Sequence, residues 1–228
     1  MMTDGMAVVV GAGGGVGAAL VAALAESGHR VAAFGRGTVP PIDLLDEASI
    51  AAAAAHVAAH GTPTLVIDAT GFLHGAGFMP ERSWRDLDPA HMAHAFAVNA
   101  TGPALLMKHF LPLLPRTGRS VFATLSARVG SIGDNRLGGW YAYRASKAAL
   151  NQFMRTASVE LRRRTPGAIC VALHPGTVET ALSAPFARAG LDVRPPAQAA
   201  ADLLAVLAAL TPADNGGFLD HKGAAIPW

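Results

Sequence analysis

Ala7-Val-Val-Val10-Gly11-Ala-Gly-Gly-Gly-Val-Gly17, continued by the helix-forming run Ala18 to Ser27, is the stretch that decides the fold. Four apolar residues read as a buried strand, the glycines as a tight turn, and the alanine-rich run as a helix. Glycines at such a turn let the backbone approach a pyrophosphate and aim a helix N-terminus at it, which is the physics of dinucleotide binding. Two spacings fit: Gly11-x-x-x-Gly15-x-Gly17, or Gly13-x-Gly15-x-x-Ala18. The first is preferred, because Gly11 directly follows the strand. Gly11, Gly13, Gly14, Gly15, Val16 and Gly17 are thus the candidate cradle.

Working outward, Arg30 to Phe34 reads as a second strand ending in Gly35-Arg36. A carboxylate at this point would bind a ribose 2′-hydroxyl; an arginine stands there instead, which favours a 2′-phosphate and hence NADP(H) over NAD(H). Ile42-Asp43-Leu44 is expected as a short third strand, with Asp43 near the adenine. Asp46 to His60 reads as a helix opened by acidic residues. His56 and His60 share a face at metal-ligand spacing without a third ligand candidate, so no metal site is expected. Thr64 to Asp68 is a strongly apolar strand opening onto Ala69-Thr70-Gly71, where open α/β sheets bind ligands. After a loop from Phe72 to Glu81, Asp88-Pro89 starts a helical segment, and a second helix is expected from Phe96 to Leu114. Asn99 lies among apolar neighbours there and needs a partner or a role. Arg119 to Leu125 forms the next strand, with Ser126 at its carboxyl end and Ser131 as its competitor for a substrate-binding hydroxyl. Ala168 to Leu173 and Gly217 to Asp220 supply two more strands, and Ala197 to Leu210 a helix. Strands alternate with helices throughout, so the expected class is α/β, a parallel sheet covered on both faces.

Trp140-Tyr-Ala-Tyr143-Arg-Ala-Ser-Lys147-Ala-Ala-Leu-Asn151-Gln152 reads as the start of a long helix. Tyr143 and Lys147, four apart, stack on one face. A phenol of ordinary pKa about 10 exchanges protons near neutrality only where a positive charge favours its phenolate, and Lys147 is placed to supply one.

Composition bounds the alternatives. The 228 residues suit a single domain spanning the whole chain, 1–228, and 51% hydrophobic with 15% charged residues describes a compact globular protein. A net charge of +2 gives no ground for nucleic-acid binding, and Arg162-Arg163-Arg164 suits a helix C-terminus. The single cysteine, Cys170, sits in a strand and reads as an inert core thiol, which fits a cytoplasmic location. No secretory segment or membrane-spanning run is recognised, so no membrane insertion is expected.

Taken together, Gly11-x-x-x-Gly15-x-Gly17, Asp43, Asp68-Ala-Thr-Gly71, Asn99, Ser126, Tyr143-x-x-x-Lys147 and Pro175-Gly176-x-Val178-x-Thr180 resemble, in order, a classical short-chain dehydrogenase/reductase. Ser126 to Asn135, Gly138 to Asn151 and the Pro227-Trp228 end resemble its C-factor-like or Sniffer-like branch. Two positions depart: Val10 stands where the family often has threonine, and Asp68-Ala-Thr-Gly71 replaces an Asn-Asn-Ala-Gly turn. The resemblance implies a single-domain Rossmann fold with a doubly wound, mostly parallel seven-stranded sheet in the order 3-2-1-4-5-6-7. It implies hydride exchange between NADP(H) and a carbonyl or alcohol, with Tyr143 as general acid/base and Lys147 lowering its pKa. Ser126 would hold the substrate oxygen and Asn99 a relay water. Leu44, Ala69, Thr70, Gly71, Asn99, Tyr143, Lys147 (by a hydrogen bond to the nicotinamide ribose), Pro175, Gly176, Val178 and Thr180 would complete the cofactor site, residues 181–195 would form a substrate flap, and the chain would assemble as a homodimer or homotetramer. Two other readings remain open: a non-catalytic dinucleotide sensor or signalling protein of C-factor type, and an epimerase or dehydratase acting on a nucleotide-linked sugar.

Overall fold

The computed structural model describes residues 5–186 and 192–228. Five strands in chain order, β1 (Met6–Val10), β2 (Arg30–Phe34), β3 (Pro63–Asp68), β4 (Ser120–Leu125) and β5 (Ala168–His174), alternate with helices. β6 (Thr177–Val178) pairs with β7 (Val193–Arg194) in a small separate sheet, and β8 (Gly217–Asp220) closes the main one. The main sheet is six-stranded, ordered β2-β1-β3-β4-β5-β8, and every pairing is parallel.

The period of two in each strand divides the core into two layers. Val8, Val10, Val66, Phe122 and Cys170 face α2 (Glu47–His60), α4 (Gly102–Phe110) and α5 (Tyr141–Arg164). Ala7, Val9, Ile67, Ala123 and Val171 face α1 (Gly15–Glu26) and α6 (Pro196–Ala209). Both faces are covered, so these strands read as unbroken apolar runs. Burial pushes the Cys170 thiol up to about 12, which makes it a packing residue.

The expected third strand is a correction. Ile42-Asp43-Leu44 forms no strand, and the sheet has six strands instead of seven. Pro40 and Pro41 carry no N–H to donate to a ladder beside β2. The segment is held instead by the Ile42 N–H to Gly35 O (3.0 Å) and by Asp43 Oδ1 accepting from Leu45 N (2.9 Å). The helix expected over Phe96 to Leu114 is also part of a longer feature. α3 (Pro89–Phe96) runs directly into a π-helical stretch, Ala97–Thr101, and then into α4. Asn99 sits inside that π turn and is buried. Among the described residues no helix is long and apolar enough to cross a membrane.

Candidate active site

β1 ends at Val10, and Gly11 turns the chain at φ +87° while its N–H and that of Ala12 donate to Phe34 O (2.8 and 2.9 Å). The steric demand for glycine falls on three positions. A Cβ on Gly11 would lie 2.9 Å from the Ala69 backbone, one on Gly15 would lie 2.7 Å from the Thr180 methyl, and one on Gly17 would overlap the Gly11 carbonyl oxygen. Gly13 faces open space. The structure therefore supports the Gly11-x-x-x-Gly15-x-Gly17 spacing. α1 begins after Gly14 without a side-chain cap, so the N–H groups of Gly15, Val16 and Gly17 have no partner within the helix. A turn stripped of Cβ atoms beside an uncapped helix start fits a dinucleotide pyrophosphate.

Gly35 abuts this turn, its Cβ position 3.7 Å from Gly13 N, and Arg36 follows it, exposed and without an ion pair among the described residues. Thr180 reaches the turn from the far side through Gly15, bringing the Pro175 to Thr180 segment alongside, with Gly176 at φ +81°. The exposed Asp43 carboxylate closes its own turn onto Leu45. Leu44 is a core residue whose side chain occupies the space a Cβ on Gly102 would need, 2.6 Å away.

After β3, Ala69 is fixed by its N–H to Val10 O (2.8 Å), and Thr70 bonds Asp68 Oδ1 through its N–H and hydroxyl (3.0 and 2.6 Å). The buried Asp68 also accepts from Thr124 Oγ1 on β4 (2.7 Å). Gly71 then lies against the catalytic candidates, its Cβ position 3.7 Å from Lys147 Nζ and 3.9 Å from Asn99 Oδ1.

Lys147 is 2% exposed and donates from Nζ to Leu125 O (2.8 Å). Burial lowers its ammonium to about 8, and the negative charge of Asp68 opposes that shift. Burial pushes the Tyr143 phenol up to about 12. Desolvation is the cause of the phenol's shift, and the Lys147 ammonium is directed at the Leu125 carbonyl. Tyr143 keeps its proton at neutral pH, and its hydroxyl has no hydrogen-bond partner among the described residues. Trp140 packs edge-on against it (centroids 6.2 Å apart, 67°), and Phe186 packs on Trp140 at 5.1 Å. Phe186 belongs to the expected flap, whose residues 187–191, Arg188 included, lie outside the described residues.

Ser126, at the end of β4, donates to Asn151 Oδ1 (2.7 Å), whereas Ser131 accepts from Asp134 N (3.1 Å) and so belongs to its own loop. Asn99 holds Phe72 by both backbone groups, accepting its N–H and donating to its C=O (2.7 Å each), and donates to Ser146 Oγ (3.1 Å). Its side chain is therefore committed to protein groups. Asn151 and Ser146 were not assigned roles from sequence. Asn151, eight residues beyond Tyr143 and four beyond Lys147, shares their helix face, so its spacing carried a signal. Ser146 carried none.

A family model described as short chain dehydrogenase matches residues 5–189. C-signal of Myxococcus xanthus is 38% identical over 63% of this chain and 82% of its own length. The 1-hydroxy-2-glutathionyl-2-methyl-3-butene dehydrogenase of Rhodococcus sp. strain AD45 is 32% identical over 92% of this chain and 88% of its own. A NADPH-bound carbonyl reductase from chicken fatty liver superposes with a TM-score of 0.85 at 27% identity, over 98% of this chain and 94% of that one. With the glycine turn, the parallel sheet and the Tyr143 to Lys147 pair in place, these matches identify the chain as a member of the short chain dehydrogenase family, in its C-factor-like and Sniffer-like branch.

Proposed function

We propose that the protein is an NADP(H)-dependent oxidoreductase that interconverts a small carbonyl compound and its alcohol, with Tyr143 as general acid/base. The observation that carries this reading is that the buried Lys147 reaches the end of β4 at Leu125 O and lies beside Gly71 after β3, that Ser126 bonds Asn151 one turn further along the same helix, and that Tyr143, with a free hydroxyl, stands one turn before Lys147 on that helix. Gly11, Gly15 and Gly17 with the start of α1 would hold the pyrophosphate, and Arg36 a 2′-phosphate. A bound nicotinamide supplies or takes the hydride. In reduction, Tyr143 gives its proton to the developing alkoxide, so charge is neutralised as it forms. Burial keeps the proton on Tyr143 at neutral pH, so it is present to be given; giving it readily requires the positive charge of Lys147 to stabilise the phenolate left behind. Ser126 orients the substrate oxygen; to donate to it, the hydroxyl proton must turn from Asn151. Asn99 contributes by fixing the Phe72 backbone beneath the site.

Support for the cofactor comes from relatives, the chicken carbonyl reductase being NADPH-bound. Similarity to C-signal favours a second reading, a dinucleotide-binding signalling protein; the intact Tyr143, Lys147 and Ser126 favour catalysis.

Titration with NADPH and NADH, read by nicotinamide fluorescence, tests the cofactor site. NADPH should bind more tightly, and Arg36→Asp should lower that preference by roughly tenfold or more, since a charge-assisted pair becomes a repulsive one. A carbonyl screen with NADPH should then give turnover that Tyr143→Phe reduces by at least about a hundredfold. Binding without turnover of any carbonyl would move the balance to the signalling reading, and absence of binding at millimolar dinucleotide would overturn both.

A further inference from the structure

Glu81 and His91 form a buried pair that the reaction described above does not use. Glu81 closes the loop after β3, and His91 stands in the first turn of α3; their side chains are 1% and 5% exposed, with His91 Nδ1 3.2 Å from Glu81 Oε1. The His91 ring stacks on Phe78 (centroids 5.0 Å apart, 10°) and meets Phe72 edge-on at 6.1 Å, so it cannot swing away without unpacking both. A carboxylate this buried is costly unless its oxygens are met.

They are met at the start of α5. The Ala142 N–H lies 3.3 and 3.2 Å from Oε1 and Oε2 of Glu81, and the Glu81 main-chain carbonyl accepts from Trp140 N (2.6 Å). Trp140 precedes α5 with no side-chain cap and at φ 53°, a region unfavourable for a bulky residue. Glu81 thus supplies, from main chain and side chain together, acceptors that the uncapped first turn lacks, and places its charge at the positive end of a 24-residue helix. Tyr143 is the next residue after Ala142. One turn later, Asn99 grips the same helix through Ser146, whose hydroxyl donates to the Tyr143 carbonyl (3.1 Å). Two clamps from outside the helix bracket the phenol.

We infer that Glu81, held in place by His91, is a positioning residue for Tyr143: it fixes the first turn of α5 so that the phenol meets the substrate oxygen. The inference rests on Tyr143 being the proton donor. Among the described residues neither Glu81 nor His91 hydrogen-bonds the glycine turn, so the pyrophosphate's share of NADPH affinity should not depend on them.

Glu81→Gln keeps size and an acceptor oxygen but removes the charge, and His91→Gln leaves the carboxylate without its imidazole. Steady-state kinetics on carbonyl reduction should show kcat lowered roughly tenfold in Glu81→Gln and several-fold in His91→Gln, with the NADPH dissociation constant changed by less than about twofold. Glu81→Asp, retaining the charge with a shorter reach, should recover part of the loss. Unchanged kcat in Glu81→Gln, a matching loss of NADPH binding, or failure of both glutamine variants to fold would overturn the positioning role. Tyr143→Phe separates the two levels. If it is inactive while Glu81→Gln is fully active, only the clamp falls; if it retains activity, the proton-donor assignment falls and the clamp with it.

Discussion

Tyr143 and Lys147 show one physical cause, burial, acting with opposite sign on two groups a turn apart. Burial favours the neutral form of each, raising the phenol to about 12 and lowering the ammonium from 10.5 to about 8. The lysine shift has a measurable consequence for stability. Between about pH 8 and pH 10.5 the unfolded chain holds a proton on Lys147 that the folded chain has lost, so this residue's contribution to stability rises with pH across that window, and its penalty is full below it. The unfolding free energy of the wild type, measured in urea without cofactor, should therefore gain on Lys147→Met by about 3 kcal/mol from pH 8 to pH 10.5. Tyr143 and Cys170 act oppositely, keeping protons in the fold that the unfolded chain loses, but they are common to both proteins and cancel in the difference. A flat difference would show Lys147 to be as hydrated as a surface lysine. Sequence spacing was enough to pair Tyr143 with Lys147, because four residues on a helix is a local geometric fact. It could not reveal that Lys147 donates to Leu125 O, nor that Glu81 meets Ala142 across 61 residues, since no periodicity connects such positions.

Elements were legible wherever the local signal and the tertiary demand agreed. The apolar runs at β1, β3, β4 and β5 were readable because strands covered on both faces need not alternate, and Asp46 caps α2 through its bond to Ala48 N as its residue type suggests. Agreement failed at Ile42 to Leu44, where apolar side chains pack inward but the preceding prolines cannot join a ladder. It failed differently at Phe96 to Leu114, where the π turn that buries Asn99 leaves no mark beyond a polar residue among apolar ones. The glycine turn gives the sharpest test at this scale, because the two spacings demand glycine at different places. Gly17→Ala would push a methyl into the Gly11 carbonyl, whereas Gly13→Ala meets open space. Thermal unfolding without cofactor should show Gly17→Ala destabilised by roughly 1–3 kcal/mol and Gly13→Ala within about 0.5 kcal/mol of wild type. Equal losses in both would mean that the turn is not closed by the Gly11 to Gly17 contact.

At the scale of the whole molecule, α5 joins the candidate site to the surface. Its first turns carry Tyr143 and Lys147, its buried side packs on the sheet through Leu150, Met154 and Leu161, and at 24 residues it spans about 36 Å. Its outer side leaves Phe153 43% and Val159 46% exposed. Isolated exposed apolar side chains are ordinary, so they do not settle assembly by themselves. The homo-oligomer expected from the sequence resemblance would give them a use: a second copy would cover them and bury apolar area on the element that holds the catalytic candidates. Light scattering should accordingly report a homodimer or homotetramer, and Phe153→Glu, placing a charge in the middle of that contact, should shift the population toward monomer. An assembly that survives Phe153→Glu would locate the interface elsewhere. A wild-type monomer would mean that α5 is held by its own sheet and by Glu81 and Asn99 alone, and the geometry around Tyr143 would then owe nothing to a neighbour.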